Sequence, residues 1–145
     1  MRRLLETWLV VVSLLVGVPT SATTEKGIEL AVIVHPSRAA TLTAETVKRI
    51  FTKRQRFWDD GHPIVAINQE VASPAREAFT RIVFGAEAER LPAYWNEQYF
   101  HGVLPPITLG SEEAVVRYVT SRPDAIGYVD ARRVDASVAV ALRLP

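Results

Sequence analysis

The chain contains no cysteine. That absence excludes thiol catalysis, thiolate metal sites and disulfide stapling, so stability rests on a packed core. Histidine is scarce as well: His35, His62 and His101 lie far apart and lack the short spacing of a metal-ligating motif. There is no G-x-S-x-G elbow, no Walker loop and no dinucleotide fingerprint, and Asp59-Asp60 before Gly61 has the chemistry of a turn, not of a catalytic carboxylate pair. An enzyme is disfavoured, and an exported hydrolase is a distant third reading. No metal or cofactor is expected.

Charge of one sign is also lacking. Arg2-Arg3 precede an apolar stretch of eleven residues, Trp8 to Val18, followed by Pro19 and the small pair Ser21-Ala22. This order matches a secretory signal peptide over residues 1–22, cut after Ala22, and the stretch is shorter than the roughly 20 residues of a membrane-spanning helix. Removing Arg2, Arg3 and Glu6 takes 17 basic and 16 acidic residues to 15 of each. A formally neutral domain over 23–145 gives no sign of a nucleic-acid partner, which needs a concentrated basic surface. The expected location is the periplasm.

The remaining chain suits one domain with one core. Ile28 to Val34 is a nearly continuous apolar run, as in a strand covered on both faces, ending at His35-Pro36-Ser37. Thr43 caps a first helix whose stripe is Val47, Ile50 and Phe51. The basic run Lys53 to Arg56 follows, either as a docking patch or as charges answering the helix end and solvent. Phe57-Trp58 and the Asp59-Asp60-Gly61 turn lead into a second strand, Ile64 to Ile67. A third helix, about Ala86 to Phe100, places Leu91, Tyr94, Trp95 and Tyr99 together as a packing stripe, with Pro92 a candidate break in its first turn. A fourth starts near Ser111-Glu112-Glu113, buries Val115, Tyr118 and Val119, and stops at Pro123; Ala125 to Val129 and Ser137 to Leu142 read as strands. The pattern is α/β, without internal repeat.

The best-defined element begins at Ser73-Pro74. Serine suits the N-cap and proline the first helical position; Ala75, Ala78, Phe79, Ile82 and Val83 share a face, and Gly85 supplies the stop. A strand, a short loop and a capped helix together form an anion seat, because a helix N-terminus exposes unpaired N–H groups and the positive end of the macrodipole. Arg76 sits in the first turn, where the dipole opposes a cation. Either it serves as an anion ligand, or it points to water or pairs with Glu70 or Glu77. Ser37 is either a plain turn residue or a further donor, if it reaches the same end of the sheet.

The order Ile50-Phe51, Phe57 to Gly61, Ile64-Val65, Ser73 to Phe79 and Pro123-Asp124-Ala125-Ile126-Gly127-Tyr128-Val129 resembles the phosphate-binding periplasmic proteins of ABC transporters. The resemblance implies a three-layer α/β/α sandwich like one lobe of a type 2 periplasmic binding protein, in a family whose two lobes close on an oxyanion. It implies non-catalytic binding of phosphate or a similar small oxyanion by Ser73, the backbone N–H groups of Ala75 and Arg76, and Ser37. That family opens this helix with Ser-Gly-Thr; here Pro74 and Ala75 stand at the glycine and threonine, removing one N–H and one hydroxyl. The family's upstream arginine has no counterpart, and Val71 stands near its acid. Candidate partners are ABC transporter membrane subunits, another envelope protein, or a second copy supplying the missing wall. The competing reading keeps the fold without the ligand: an envelope interaction module using the loop around Ser73 or the Lys53 to Arg56 patch.

Overall fold

A computed structural model describes residues 27–145; the expected signal peptide lies outside the described residues. Five strands and four α-helices follow one another as β1 (Leu30–Val34), α1 (Ala44–Phe51), β2 (Val65–Gln69), α2 (Pro74–Phe84), α3 (Leu91–Phe100), β3 (Ile107–Leu109), α4 (Glu112–Ser121), β4 (Ala125–Asp130) and β5 (Ala139–Leu144). The sheet order is β3-β2-β4-β1-β5. β2 runs parallel to β3 and β4, whereas β1 is antiparallel to both β4 and β5, with Leu30 opposite Asp130 and Val34 opposite Ile126.

All five residues of β1 are buried, and their alternation creates the three layers. Leu30, Val32 and Val34 join Ile126 and Tyr128 of β4 beneath α1 and α2, where Val47, Ile50, Phe51, Ala78 and Phe79 close the core. Ala31 and Ile33 join Ala125 and Val129 on the other face, under Val115 and Val119 of α4. The α/β/α sandwich expected from the sequence is therefore present. In the first core the Tyr128 ring stacks on Phe79, with centroids 3.9 Å apart and planes 2° from parallel. On the second face α4 lies so close to the sheet that a Cβ on Gly127 would stand 2.6 Å from Cγ1 of Val115. Glycine at this strand position is a packing requirement.

Two expectations need correction, and one strand was not anticipated. β3 has no counterpart in the sequence reading. The single helix expected from Ala86 is a 3-10 segment, Gly85–Arg90, followed by α3, with Pro92 in the first turn of α3 where its missing N–H is harmless. The aromatic stripe of α3 is not core: none of its residues is fully buried, Tyr94 is held by its hydroxyl donating to the Thr52 carbonyl (2.6 Å), and Tyr99 is 66% exposed.

The opposite end of the sheet from the helix α2 cap is fastened by Arg38. Its guanidinium donates to the Pro123 carbonyl, Asp60 and Asp124, and lies over the Trp58 ring, whose indole N–H donates to the Asp124 carbonyl. Asp60 also accepts from the His62 N–H, and Gly61 has φ 85°, so Asp59-Asp60-Gly61 is the turn its composition predicts. The Lys53 to Arg56 run makes local contacts, with Arg54 and Arg56 exposed. Lys53 occupies the left-handed region at φ 59°, Arg54 lies over Tyr94, and Arg56 donates to the Lys53 carbonyl.

Candidate functional site: a cleft between two helix N-termini

Because β2, β3 and β4 are parallel, the helices that follow β2 and β3 start at the same end of the sheet. Ser73 caps α2: its Oγ accepts from the Arg76 N–H (3.3 Å), as the sequence predicts. Ser111 caps α4 in the same way, accepting from the Ala114 N–H (3.1 Å). The two N-termini open on one cleft of about 650 Å³, lined by Gln69, Ser73 and Ala75 on one side and by Gly110, Ser111 and Glu112 on the other. Asp130, Arg132 and Arg133 form its third side, beyond the end of β4. This is the carboxyl end of the parallel strands, where ligands of open α/β sheets bind.

A buried amide organises the α2 side. β2 and β4 pair only at Val65–Ala125 and Ala66–Ile126. Farther along, the Gln69 side chain takes over: Nε2 donates to the Tyr128 carbonyl (2.8 Å), and Oε1 accepts from the Ser73 hydroxyl (2.7 Å). Gln69 is only 2% exposed, so these bonds replace water that cannot reach it. The Tyr128 hydroxyl donates to Asn68 Oδ1, and burial pushes that phenol well above its ordinary pKa. The Ser73 proton is thus committed to Gln69 and its oxygen to the Arg76 N–H. Among the described residues, the Ala75 N–H has no hydrogen-bond partner.

The α4 side carries its own charges. Glu112 and Glu113 occupy the first turn, where carboxylates complement the dipole; Glu112 accepts from the Asp130 N–H (2.7 Å) and pairs with Arg133 (3.4 Å). Asp130 accepts from Arg132 through both Nε and Nη2, and this pairing holds its carboxyl below the usual range. Glu112 and Asp130 balance Arg132 and Arg133, leaving the cleft without net side-chain charge.

The four sequence candidates are not all brought together. Ser73 and Ala75 line the cleft. Arg76 does not line it, although its backbone N–H closes the Ser73 cap. Its guanidinium turns away, donates to the Gln69 carbonyl (2.5 Å) and lines a neighbouring groove; it pairs with neither Glu70 nor Glu77. Ser37 is at the opposite end of the sheet. β1 runs antiparallel to β4, so the residues after Val34 emerge beside Pro123 and Asp124, and the Ser37 hydroxyl is within 2.7 Å of His35 Nδ1. Gln69, Ser111, Glu112, Asp130, Arg132 and Arg133 were missed. Only Ser111 carried a local signal, since Ser before Glu-Glu marks a second capped helix.

Such a cleft, at the carboxyl end of the parallel strands of a single α/β/α unit, is where open α/β sheets hold ligands. The chain matches the family model of the PBP superfamily domain over residues 28–141, and it belongs to that family. Among solved structures it is similar to a protein described as a phosphate ABC transporter substrate-binding protein, with bound phosphate, from Clostridium perfringens: 27% identity, TM-score 0.59, 78% of this chain and 44% of that one. It is also similar to an ABC-type phosphate transport receptor from Vibrio cholerae (19%, TM-score 0.61, 78% and 46%) and to PstS from Borrelia burgdorferi (17%, TM-score 0.54, 70% and 41%). The chain spans less than half the length of these structures. No curated protein matches the sequence.

Proposed function

We propose that this chain is an exported, non-catalytic solute-binding domain of the periplasm that takes phosphate or a similar small oxyanion in the cleft between α2 and α4, in the service of ABC-type phosphate transport. One observation carries the reading: two serine-capped helix N-termini converge on a single cleft at the carboxyl end of the parallel strands. The solved C. perfringens relative contains phosphate, which supports the choice of ligand class.

The free Ala75 N–H is the first donor on the α2 side. Ser73 becomes a second only by exchanging its bond to Gln69 for one to the ligand. Arg132 and Arg133 at the rim supply positive charge, discounted by their own carboxylate partners. Pro74 offers no N–H, and one lobe leaves the anion hydrated on its open side, so affinity is weak unless a second copy or a transporter subunit closes over the cleft.

The test is titration of the purified protein, free of phosphate, with phosphate and sulfate, followed by calorimetry and thermal stability. A saturable response that weakens by about tenfold to a hundredfold in Ser73→Ala, the loss of a charge-assisted hydrogen bond of about 1.5–3 kcal/mol, is the expected result. No saturable response to millimolar anion leaves the second reading, an envelope interaction module without ligand. That reading is favoured by the Ser73 hydroxyl being already spent on Gln69 and by the acids in the first turn of α4.

A further inference from the structure

A second concavity shares no lining residue with the cleft. It is a groove of about 280 Å³ between α2, α3 and the edge strand β3, walled by Phe51, Phe79, Phe84, Leu91 and Trp95, with Pro105-Pro106 as its lip. Its polar lining is Asn68, Thr80 and Thr108, and its one charged lining residue is Arg76. Arg76 spends Nη1 on the Gln69 carbonyl and meets no carboxylate among the described residues. It also stands in the first turn of α2, where the dipole is unfavourable to a cation. A guanidinium so placed, beside apolar walls and without an ion-pair partner among the described residues, is electrostatically incomplete.

The surroundings of the groove are unusual for a monomer surface. Val71 lines it and is 80% exposed; Leu104 and Ile107 flank its proline lip at 62% and 45%. Tyr99, one turn beyond Trp95, and Phe100 are exposed as well. A small molecule in the groove would leave this rim in water, whereas a polypeptide lying along the edge strand would cover it.

We propose that this groove is a docking site for a partner polypeptide segment that inserts an apolar side chain among the aromatic walls and lays a neighbouring carboxylate on Arg76. It does not require an anion in the cleft. The carboxylate supplies the charge that Arg76 lacks, and the apolar side chain displaces water from Leu91 and Trp95, the half-buried residues of the wall. The rim residues Val71 and Leu104 enclose the pair and exclude solvent from the ion contact, which strengthens it.

The test uses the full chain labelled with 15N, in phosphate-free buffer, and two synthetic peptides: acetyl-Ala-Glu-Leu-Phe-Ala-amide and its Gln counterpart. The Glu peptide should shift the Val71 and Thr108 amides and the Trp95 indole saturably, and bind about tenfold more tightly than the Gln peptide. Arg76→Gln should abolish that difference, and Val71→Ser with Leu104→Ser should weaken both peptides alike. Four results would overturn the proposal: no saturable shift, equal affinity for the two peptides, shifts confined to Ser111 and Arg132 in the cleft, or phenylacetate binding as tightly as the Glu peptide, which would assign a small carboxylate instead. If Arg76→Gln fails to fold, the Val71 and Leu104 variant decides, since both residues are exposed; unchanged peptide affinity in it refutes the docking site.

Discussion

Replacing Gln69 by leucine removes the one side chain that ties β2, β4 and the α2 cap together. Leucine is close in size, so the perturbation is chemical more than steric. Two hydrogen bonds are lost, to the Tyr128 carbonyl and from the Ser73 hydroxyl, each worth about 1 kcal/mol net. The Tyr128 carbonyl, buried with its residue, is left without that donor at a further cost of about 1–3 kcal/mol. Ser73 is partly exposed and recovers a bond to water, so its share is small. The expected loss is about 2–4 kcal/mol, a fall in urea midpoint of about 1–2 M at an ordinary slope. Ser73→Ala alone removes the cap, worth about 1 kcal/mol, and leaves the buried Gln69 Oε1 without its donor at a further cost of about 1–3 kcal/mol. Because both variants break the same Ser73–Gln69 bond and the double variant strands no glutamine oxygen, it should be less destabilised than the sum, by about 1–3 kcal/mol. Equilibrium urea unfolding of the four proteins, read by tryptophan fluorescence and circular dichroism, gives the whole cycle. A cost below about 0.5 kcal/mol for Gln69→Leu, or strict additivity, would refute the network as the device that sets the α2 N-terminus.

Two further outcomes follow from the packing and the charges around the cleft. Gly127→Ala drives a methyl to 2.6 Å from Val115 and should destabilise by about 1–3 kcal/mol in thermal unfolding; Val115→Ala should relieve part of that cost, and a neutral Gly127→Ala would mean that α4 stands farther from the sheet. Arg132→Gln should raise the Asp130 pKa toward the ordinary carboxylate value, as seen by carboxyl-carbon NMR titration. A depressed carboxylate stabilises the fold above its unfolded pKa and loses that contribution as pH falls through the folded value. The two proteins should therefore differ at neutral pH and converge in acid, and a difference constant with pH would show that the pairing does not act through Asp130.

Layering and helix caps were legible because each depends on a local pattern. The alternate residues of β1, the Thr43 cap and the Ser73-Pro74 start declare themselves in windows of a few residues. β3 did not: three residues, two exposed, at the edge of the sheet give neither alternation nor burial to detect. The aromatic spacing of α3 was read as core, yet periodicity shows only that a face is apolar and not that anything covers it. Strand direction was the costlier omission. An apolar run looks the same in either sense, so placing Ser37 with Ser73 rested on an all-parallel sheet, and the antiparallel β1 sends Ser37 to the far end. Gln69 escaped notice because a strand-terminal glutamine has no local signature; its role exists only once β4 lies beside it. The rim arginines likewise follow β4 by two or three residues, and only the fold carries them to Ser73.

The reversed direction of β1 also decides where the chain is leashed. Leu30 lies opposite both Asp130 and Leu144, and Ile28 lines the cleft, so Ile28 and Leu144 both lie at the cleft end of the sheet. A purification tag, a fluorescent reporter or a surface tether joined directly before Ile28 or after Leu144 hangs beside the opening and competes with whatever should enter it. The quiet face for attachment is the far end, around the Arg38, Asp60 and Asp124 cluster, where an engineered anchor would hold the molecule with its cleft pointing outward.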